Sequence, residues 1–376
     1  MSEKDIVREK DGGEINMSDQ KITAGLLTEG EIGGVVSLLA EVFEETEAQK
    51  GSLIDEGFYR WQYLETKSPV VVARAGKKHI GHYPLTTYSF KVGTDVGKAA
   101  VIQDLVTSRE FRHKGIFRLM GEKAVEIAEK DNYDLIYAFP NQNSFPGFIK
   151  HHGYIHLLTI PLFVCPVSLS GIVNTKFKSM PLGWFFRPID FISKVFLMRK
   201  RGKVVVKEHD DAPKEIDELW ESSKGSYKST LVRDCDYIKW RFRERPGLGY
   251  RIFTATVDGK IVGYAVLGSG NFFGLPTAVI MDYFVASGKA GTSGLFALIR
   301  EMKRVSHQRG DVLLLTATQA RFGVWNSLLR SGFLKVPGFI NPRKLKLVVR
   351  PFSERAKKNV FDKKGWFLTL ADWDVL

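Results

Sequence analysis

The chain has 376 residues, 44% of them hydrophobic, and 55 Lys and Arg against 42 Asp and Glu give a formal charge of +13. That length exceeds what one hydrophobic core organises, so two domains are expected. No apolar run of about 18 residues and no apolar stretch behind a basic start is present, which argues against a spanning helix and a secretory leader and for the cytoplasm.

Residues 1–19 are polar and acidic and are predicted to be disordered. A first lobe is predicted over 20–160. Thr28 with Glu31 forms a capping-box pattern ahead of Ile32, Val35, Val36, Leu39, Val42 and Phe43, an apolar face at helical spacing. Next stand Phe58-Tyr59-Arg60-Trp61-Gln62-Tyr63 and Pro69, then two strands around Gly76-Lys77-Lys78. Ala100-Val101-Ile102-Gln103-Asp104 follows, then a helix, the strand Leu135-Ile136-Tyr137, and a helix closed by Gly153-Tyr154, where glycine supplies a left-handed cap.

The same order returns about 180 residues later, the self-similarity of an internal duplication. Ile216, Leu219 and Trp220 carry the face of the opening helix, and Asp236-Tyr237-Ile238-Lys239-Trp240-Arg241-Phe242 with Pro246 matches the aromatic marker. Residues 251–257 lead through Asp258-Gly259, a hairpin signal, into Ile261-Val262-Gly263. Ala278-Val279-Ile280-Met281-Asp282 echoes the strand ending at Asp104, and Leu313-Leu314-Leu315 precedes a helix closed by Gly332-Phe333. The second lobe is drawn at 206–350. Between the lobes, 161–205 reads as an aromatic-rich connector ending in Arg199-Lys200-Arg201. Its Phe185, Phe186, Ile189, Phe191, Ile192, Val195 and Phe196 are expected to pack between lobes, the alternative being peripheral contact with a membrane surface. A tail, 351–376, ends in Trp373-Asp374-Val375-Leu376.

The positive charge suits an anionic partner. Basic residues are dispersed in small clusters without an RNA-binding or zinc-finger pattern, so a coenzyme is favoured over nucleic acid. Cys165 and Cys235 have no metal-ligand spacing and read as reduced thiols. The scattered histidines suggest no metal site, and Trp61 and Trp240 read as core markers of the repeat.

Chemistry concentrates after the strand at 100–104. Arg112-His113-Lys114-Gly115 is a short basic loop opening a helix that carries Leu119, Ala124, Ile127 and Ala128 inward. A helix N-terminus offers unpaired N–H groups and partial positive charge, Gly115 permits close backbone approach, and Arg112, His113, Lys114 and Arg118 surround it with positive charge: an anion seat. Arg112 to Ile116 resembles the pyrophosphate loop of the GNAT (GCN5-related N-acetyltransferase) superfamily, Arg/Gln-x-x-Gly-x-Gly/Ala. Pro140-Asn141-Gln142-Asn143-Ser144 after the next strand resembles that family's second half. The likeness covers 22–160 well and 206–340 more loosely.

The resemblance implies an α/β fold of two tandem GNAT-like lobes, each a mixed, mostly antiparallel sheet flanked by helices. It implies acetyl-coenzyme A as co-substrate, with the backbone of Ile116, Phe117 and Arg118, together with Arg112, His113, Lys114 and Gly115, cradling the diphosphate. Leu105 and Val106 would pair with the pantetheine amides, Asn141 and Ser144 would meet the same arm, and the Val106 N–H would polarise the thioester carbonyl. Asp104 is the nearest carboxylate to serve as base, or else a structural aspartate bonded to the loop. Two departures stand out. Phe117 replaces the loop's last small residue, and the family's tyrosine acid falls near Phe148. The second lobe's counterpart, 286–294, is glycine-rich without the arginine and is expected to have lost the cofactor. By analogy with two-lobed aminoglycoside-modifying members, Asp372, Asp374 or the Leu376 carboxylate would receive a cationic amine, the alternative being a last packed strand. The expected activity is N-acetylation of a primary amine on a small molecule or amino sugar. Two rivals are an aminoacyl-tRNA-dependent transferase of the peptidoglycan-bridge type and a non-catalytic coenzyme A sensor.

Overall fold

The computed structural model describes residues 14–17, 20–46, 54–176, 182–188, 190, 203–341 and 344–373. Among them no helix is long and apolar enough to cross a membrane. In chain order the first half holds β1 (Glu14–Met17), β2 (Gln20–Leu26), α1 (Ile32–Thr46), α2 (Glu56–Tyr59), β3 (Val70–Ala75), β4 (Lys78–Pro84), β5 (Thr86–Val92), β6 (Asp95–Ile102), β7 (Val106–Thr107), α3 (Ile116–Lys130), β8 (Leu135–Ala138), α4 (Phe145–His151), β9 (Ile155–Ile160), β10 (Leu162–Pro166) and α5 (Leu169–Lys176). The second holds β11 (Val205–His209), α6 (Ile216–Ser223), β12 (Ser229–Leu231), α7 (Cys235–Phe242), β13 (Arg251–Val257), β14 (Lys260–Phe272), β15 (Leu275–Val285), α8 (Gly288–Arg309), β16 (Leu313–Ala317), α9 (Phe322–Arg330), β17 (Leu334–Lys335), β18 (Leu345–Pro351) and α10 (Glu354–Asn359).

Local signals explain the punctuation. The Thr28 amide and hydroxyl both reach the Glu31 carboxylate, at 2.9 and 2.6 Å, so the capping box forms ahead of α1. Ile32, Val35, Leu38, Leu39 and Val42 then lie buried on one helix face. Asp258 and Gly259 both take positive φ, 48° and 80°, the geometry whose twist suits the β13–β14 hairpin. Residues 14–17 form a strand paired antiparallel to β2, which corrects the expectation of disorder there; residues 1–13, 18 and 19 lie outside the described set.

The lobes exchange strands. The first lobe carries two sheets, β1-β2-β3-β4-β7 and β12-β5-β6-β8-β18-β9, and the second lobe one, β11-β13-β14-β15-β16-β10-β17. Thus β10, which follows the first lobe in sequence, inserts between β16 and β17 of the second. Reciprocally, β18, at the end of the second lobe's stretch of sequence, inserts between β8 and β9 of the first. A boundary at 160/161 therefore leaves β10 outside the lobe whose sheet it joins, and one at 350/351 puts most of β18 in the lobe whose sheet it does not join. Each lobe needs a strand from the other's stretch of sequence to avoid a gap beside β8 or β16, because an unpaired strand edge in a core is costly. One core cluster accordingly runs through both lobes, from Phe90 and Tyr137 to Trp220, Leu298 and Trp366.

In the connector, Trp184 and Phe185 stack on one another at 4.1 Å and remain exposed, at 58% and 59%, instead of packing between lobes. Ile189, Phe191, Ile192, Val195 and Phe196 lie outside the described residues. Cys165 and Cys235 are buried free thiols.

Candidate active site

The parallel pairing of β6 with β8 ends at Ile102 opposite Ala138. Beyond it Asp104 adopts φ +50°, the chain kinks, and β7 pairs antiparallel with β4 instead, Gly81 opposite Thr107 and His82 opposite Val106. A bulge of this kind re-aims a strand and ends pairing. One edge of β7 is thus left without a strand partner among the described residues, opposite the outgoing end of β8. The register decides which amides face that slot. Ser108 donates to the Ile80 carbonyl at 2.8 Å, so by antiparallel alternation Val106 donates to the carbonyl of His82. The amides of Leu105 and Thr107 turn the other way. This corrects the assignment of Val106: its N–H is spent within the sheet, and its side chain is buried.

The slot leads to the basic loop. His113 and Gly115 have φ of +63° and +79°; a left-handed residue is comfortable only without a Cβ, which makes Gly115 the natural N-cap of α3. No side chain caps that end. The first amides of α3, at Ile116, Phe117 and Arg118, therefore face outward with no intrahelical acceptor. Arg112 and His113 are exposed, and the Arg112 Nε donates to the Thr107 carbonyl at 3.3 Å, tying the loop to the slot edge. Lys114 lies 4.9 Å over the Phe111 ring, Lys78 pairs with Glu110, and Arg118 pairs with Glu122 one turn on. Ile116 is buried and anchors the turn.

Phe117 does not occupy the seat. Its ring stacks on His152 at 4.4 Å and meets Phe148 edge-on at 5.4 Å. Gly147 makes room for it: a Cβ there would lie 2.7 Å from the Phe117 ring. The large residue in the loop is thus matched by a missing side chain on α4. The Asn141 side-chain oxygen accepts from the amides of Asn143 and Ser144, both at 3.0 Å, and from the Ser144 hydroxyl at 3.1 Å. Asn141 and Ser144 are bonded to each other in the turn between β8 and α4. Phe148 is buried and carries no proton.

Behind the kink lies a polar network that sequence reasoning found only at Asp104. The Tyr63 hydroxyl donates to the Asp104 carboxylate at 2.5 Å, and His82 Nδ1 bonds the Asp104 carbonyl oxygen at 2.8 Å. A carbonyl only accepts, so Nδ1 carries the proton and Nε2 accepts from the Tyr59 hydroxyl at 3.1 Å. Burial pushes His82 down to about 4 and keeps the ring neutral, and it pushes Tyr59 up. Tyr59 and Tyr63 are delivered by α2 and the π turn that follows it, Arg60–Leu64, a device common at functional sites. Aromatic and histidine positions in strand β4 and the 58–63 marker were the available signal; only their shared surroundings reveal the network.

The tail differs from expectation at Asp372. That carboxylate is buried, 1% exposed, and bonded to Arg233 at 2.5 Å, so it is closed to an incoming amine. Burial raises it to about 6 despite the arginine. Asp374 and Leu376 lie outside the described residues. Trp373 rests against Phe139, ring centres 4.4 Å apart, just after β8. In the second lobe there is no loop matching 112–115: α8 begins at Gly288, and the glycine-rich stretch from 288 to 294 is its first two turns.

Residues 24–156 match the family model described as an acetyltransferase (GNAT) domain. No curated protein matches the sequence. Among solved structures, a probable N-acyltransferase of unknown function from Enterococcus faecalis superposes with TM-score 0.60 at 12% identity, covering 88% of this chain and 72% of that one. A GCN5-related N-acetyltransferase from Anabaena variabilis gives TM-score 0.59 at 10% identity over 88% and 72%. Saccharomyces cerevisiae N-myristoyltransferase with bound myristoyl-CoA gives 0.56 at 12% identity over 97% and 92%. The first lobe of this chain thus resembles an acetyltransferase (GNAT) domain over residues 24–156, and it is set in a strand-exchanged pair of α/β lobes whose fold is that of these solved structures.

Proposed function

We propose that the protein is an N-acetyltransferase that moves an acetyl group from acetyl-coenzyme A to a primary amine by direct attack. The observation that carries this reading is the continuity of the kinked β7 edge with the uncapped, left-handed start of α3. An extended pantetheine arm, with two amides, pairs along Leu105 and Thr107 as an added strand would. The diphosphate then reaches the amides of residues 115–118, with Arg112, His113 and Lys114 supplying positive charge. Asn141 and Ser144 border the arm from the α4 side. Once bound, acetyl-coenzyme A supplies the activated thioester.

The amide facing the reacting end is Leu105, so the role first given to Val106 passes to it: its N–H is placed to stabilise the oxyanion that forms during attack. Asp104 has two jobs in this account. Its bonds to Tyr63 and His82 hold the kink, and its carboxylate is the nearest acceptor for the proton lost by the amine. Tyr59, Tyr63 and His82 fill the space behind the kink, which favours a short acyl group over a long one. With Phe148 in place of a tyrosine, the thiolate leaves without a side-chain acid from α4.

The test is thiol release from acetyl-, octanoyl- and myristoyl-coenzyme A against a panel of polyamines, amino sugars and amino-terminal peptides. Turnover highest with acetyl-coenzyme A and an amine supports the reading. Turnover only with a long acyl donor, or binding without turnover across the panel, contradicts it.

A further inference from the structure

The second lobe has its own slot, and the chain fills it. Ala99 pairs with Leu135 in the first lobe and Thr277 with Leu313 in the second, so an offset of 178 maps β6 onto β15 and β8 onto β16 alike. The same offset maps Asp104 onto Asp282 and Asn141 onto Gln319. In the first lobe these two residues flank the place proposed for the pantetheine arm. In the second lobe they hold residues 366–372. Leu368 donates to the Gln319 carbonyl at 2.8 Å and accepts from the Gln319 amide at 2.9 Å. The Leu368 carbonyl also takes the Thr318 hydroxyl at 2.8 Å, and the Thr369 hydroxyl donates to Asp282 at 2.6 Å.

Side chains lock the segment from both ends. Arg233, fully buried, bridges Asp282 at 3.1 Å and Asp372 at 2.5 Å and lies 4.6 Å over the Phe367 ring. The Tyr264 hydroxyl donates to the second Asp282 oxygen at 2.6 Å. Trp366, Leu368 and Thr369 are each 0% exposed. A pantetheine arm and a peptide in extended form present the same chemistry, successive amide N–H and C=O groups a strand spacing apart, so a slot built for one accepts the other. The elongation of α8 removes the diphosphate loop from the same lobe, so both halves of a coenzyme site are gone together.

We propose that residues 366–372 are a resident peptide ligand of the second lobe's thioester-arm slot, leaving the chain one coenzyme site, in the first lobe. The inference rests on reading the first lobe's slot as a pantetheine site. Past the slot the tail lies between the two lobes. Tyr237 and Tyr137 bond the carbonyls of Ala371 and Asp372, Arg241 bonds that of Trp373, and the Trp373 ring meets Phe139. The occupied slot of one lobe thereby fixes a wall beside the open slot of the other.

Hydrogen exchange on the full chain, read by mass spectrometry with and without excess acetyl-coenzyme A, tests this alongside a calorimetric titration. The amides of Leu368 and Thr369 are expected to exchange as slowly as those of β15 and β16, at least about a thousandfold slower than an open chain, unchanged by coenzyme. One acetyl-coenzyme A per chain is expected. Leu368→Pro removes the bond to the Gln319 carbonyl and should speed exchange across 366–372 at least about tenfold while β6 and β8 stay protected. Thr369→Ser, which keeps the hydroxyl, should not. Open-chain exchange of 366–372 in the parent, protection lost as coenzyme is added, or two coenzymes per chain would overturn the proposal. A protected tail with no coenzyme bound at all would overturn the first-lobe reading and leave the occupied slot standing.

Discussion

Trp61 and Trp240 are bonded to each other twice. Each indole N–H donates to the other's backbone carbonyl, at 3.1 Å from Trp61 and 3.4 Å from Trp240, and the rings stack at 4.8 Å and 18°. Reciprocal contacts between equivalent residues are the mark of a two-fold axis. The exchange of β10 and β18 between the two lobes is reciprocal in the same way.

Truncating Trp240 to alanine removes the stack and the indole donor to the Trp61 carbonyl, with a cost of about 3–5 kcal/mol by analogy with large-to-small core changes. Chemical denaturation checks it. Because strand exchange merges the two cores, Trp61→Phe and Trp240→Phe are expected to be non-additive by about 0.5–3 kcal/mol in a double-mutant cycle. Additive losses, or two separate unfolding transitions, would show the lobes to be independent.

Gly115→Asp places a side chain and a negative charge at the left-handed cap of α3, where the diphosphate is proposed to sit. Affinity for acetyl-coenzyme A should fall at least about a hundredfold, roughly 2.8 kcal/mol. Arg112→Glu should weaken it about tenfold or more through reversed charge. Circular dichroism should show both variants folded, since neither site is in the core.

Gly147 and Phe117 form a size-matched pair, and the prediction is compensation. Gly147→Val drives a side chain into the Phe117 ring, displacing α3 or α4. We expect lower thermal stability and at least about tenfold weaker coenzyme binding, an overpacking cost of about 1–3 kcal/mol. Adding Phe117→Ala should restore most of both. A double variant no better than Gly147→Val would show that the contact is incidental.

Two buried histidines set an acid limit. Burial pushes His82 and His152 down to about 4 from an ordinary value near 6.5. The unfolded chain takes up these protons first as pH falls, so the stability is fully present above about pH 6.5 and lost progressively toward pH 4. The slope should reach about 1.4 kcal/mol per pH unit for each histidine at its steepest. Urea midpoints between pH 7 and 4.5 measure it, and His82→Asn should flatten the dependence. A pH-independent midpoint over that window contradicts the assignment of neutral rings.

Much of this fold was legible in the sequence because duplication and punctuation are local signals. Thr28 with Glu31, Asp258-Gly259 and Gly153 each act through backbone geometry within a few residues, and the structure keeps them all. The basic loop before α3 was legible for the same reason. Strand exchange was not: β10 reads as part of the connector and no strand is predicted at β18, because partner choice is decided by the core as a whole. Nor could the sequence separate Val106 from Leu105 as a slot-facing amide. A one-residue kink at Asp104 reverses which N–H groups face outward, and only the register with β4 reveals it. The tail was ambiguous on charge alone: Asp372 offered a carboxylate for an amine, and the structure gives it to Arg233.

The most direct test of the central claim is a crystal structure with acetyl-coenzyme A. The account predicts diphosphate oxygens within about 3.2 Å of the amides of residues 115–118, and the pantetheine chain running beside Leu105 and Thr107 between β7 and β8. A coenzyme bound elsewhere, or an arm lying along β15 in place of residues 366–372, would contradict it.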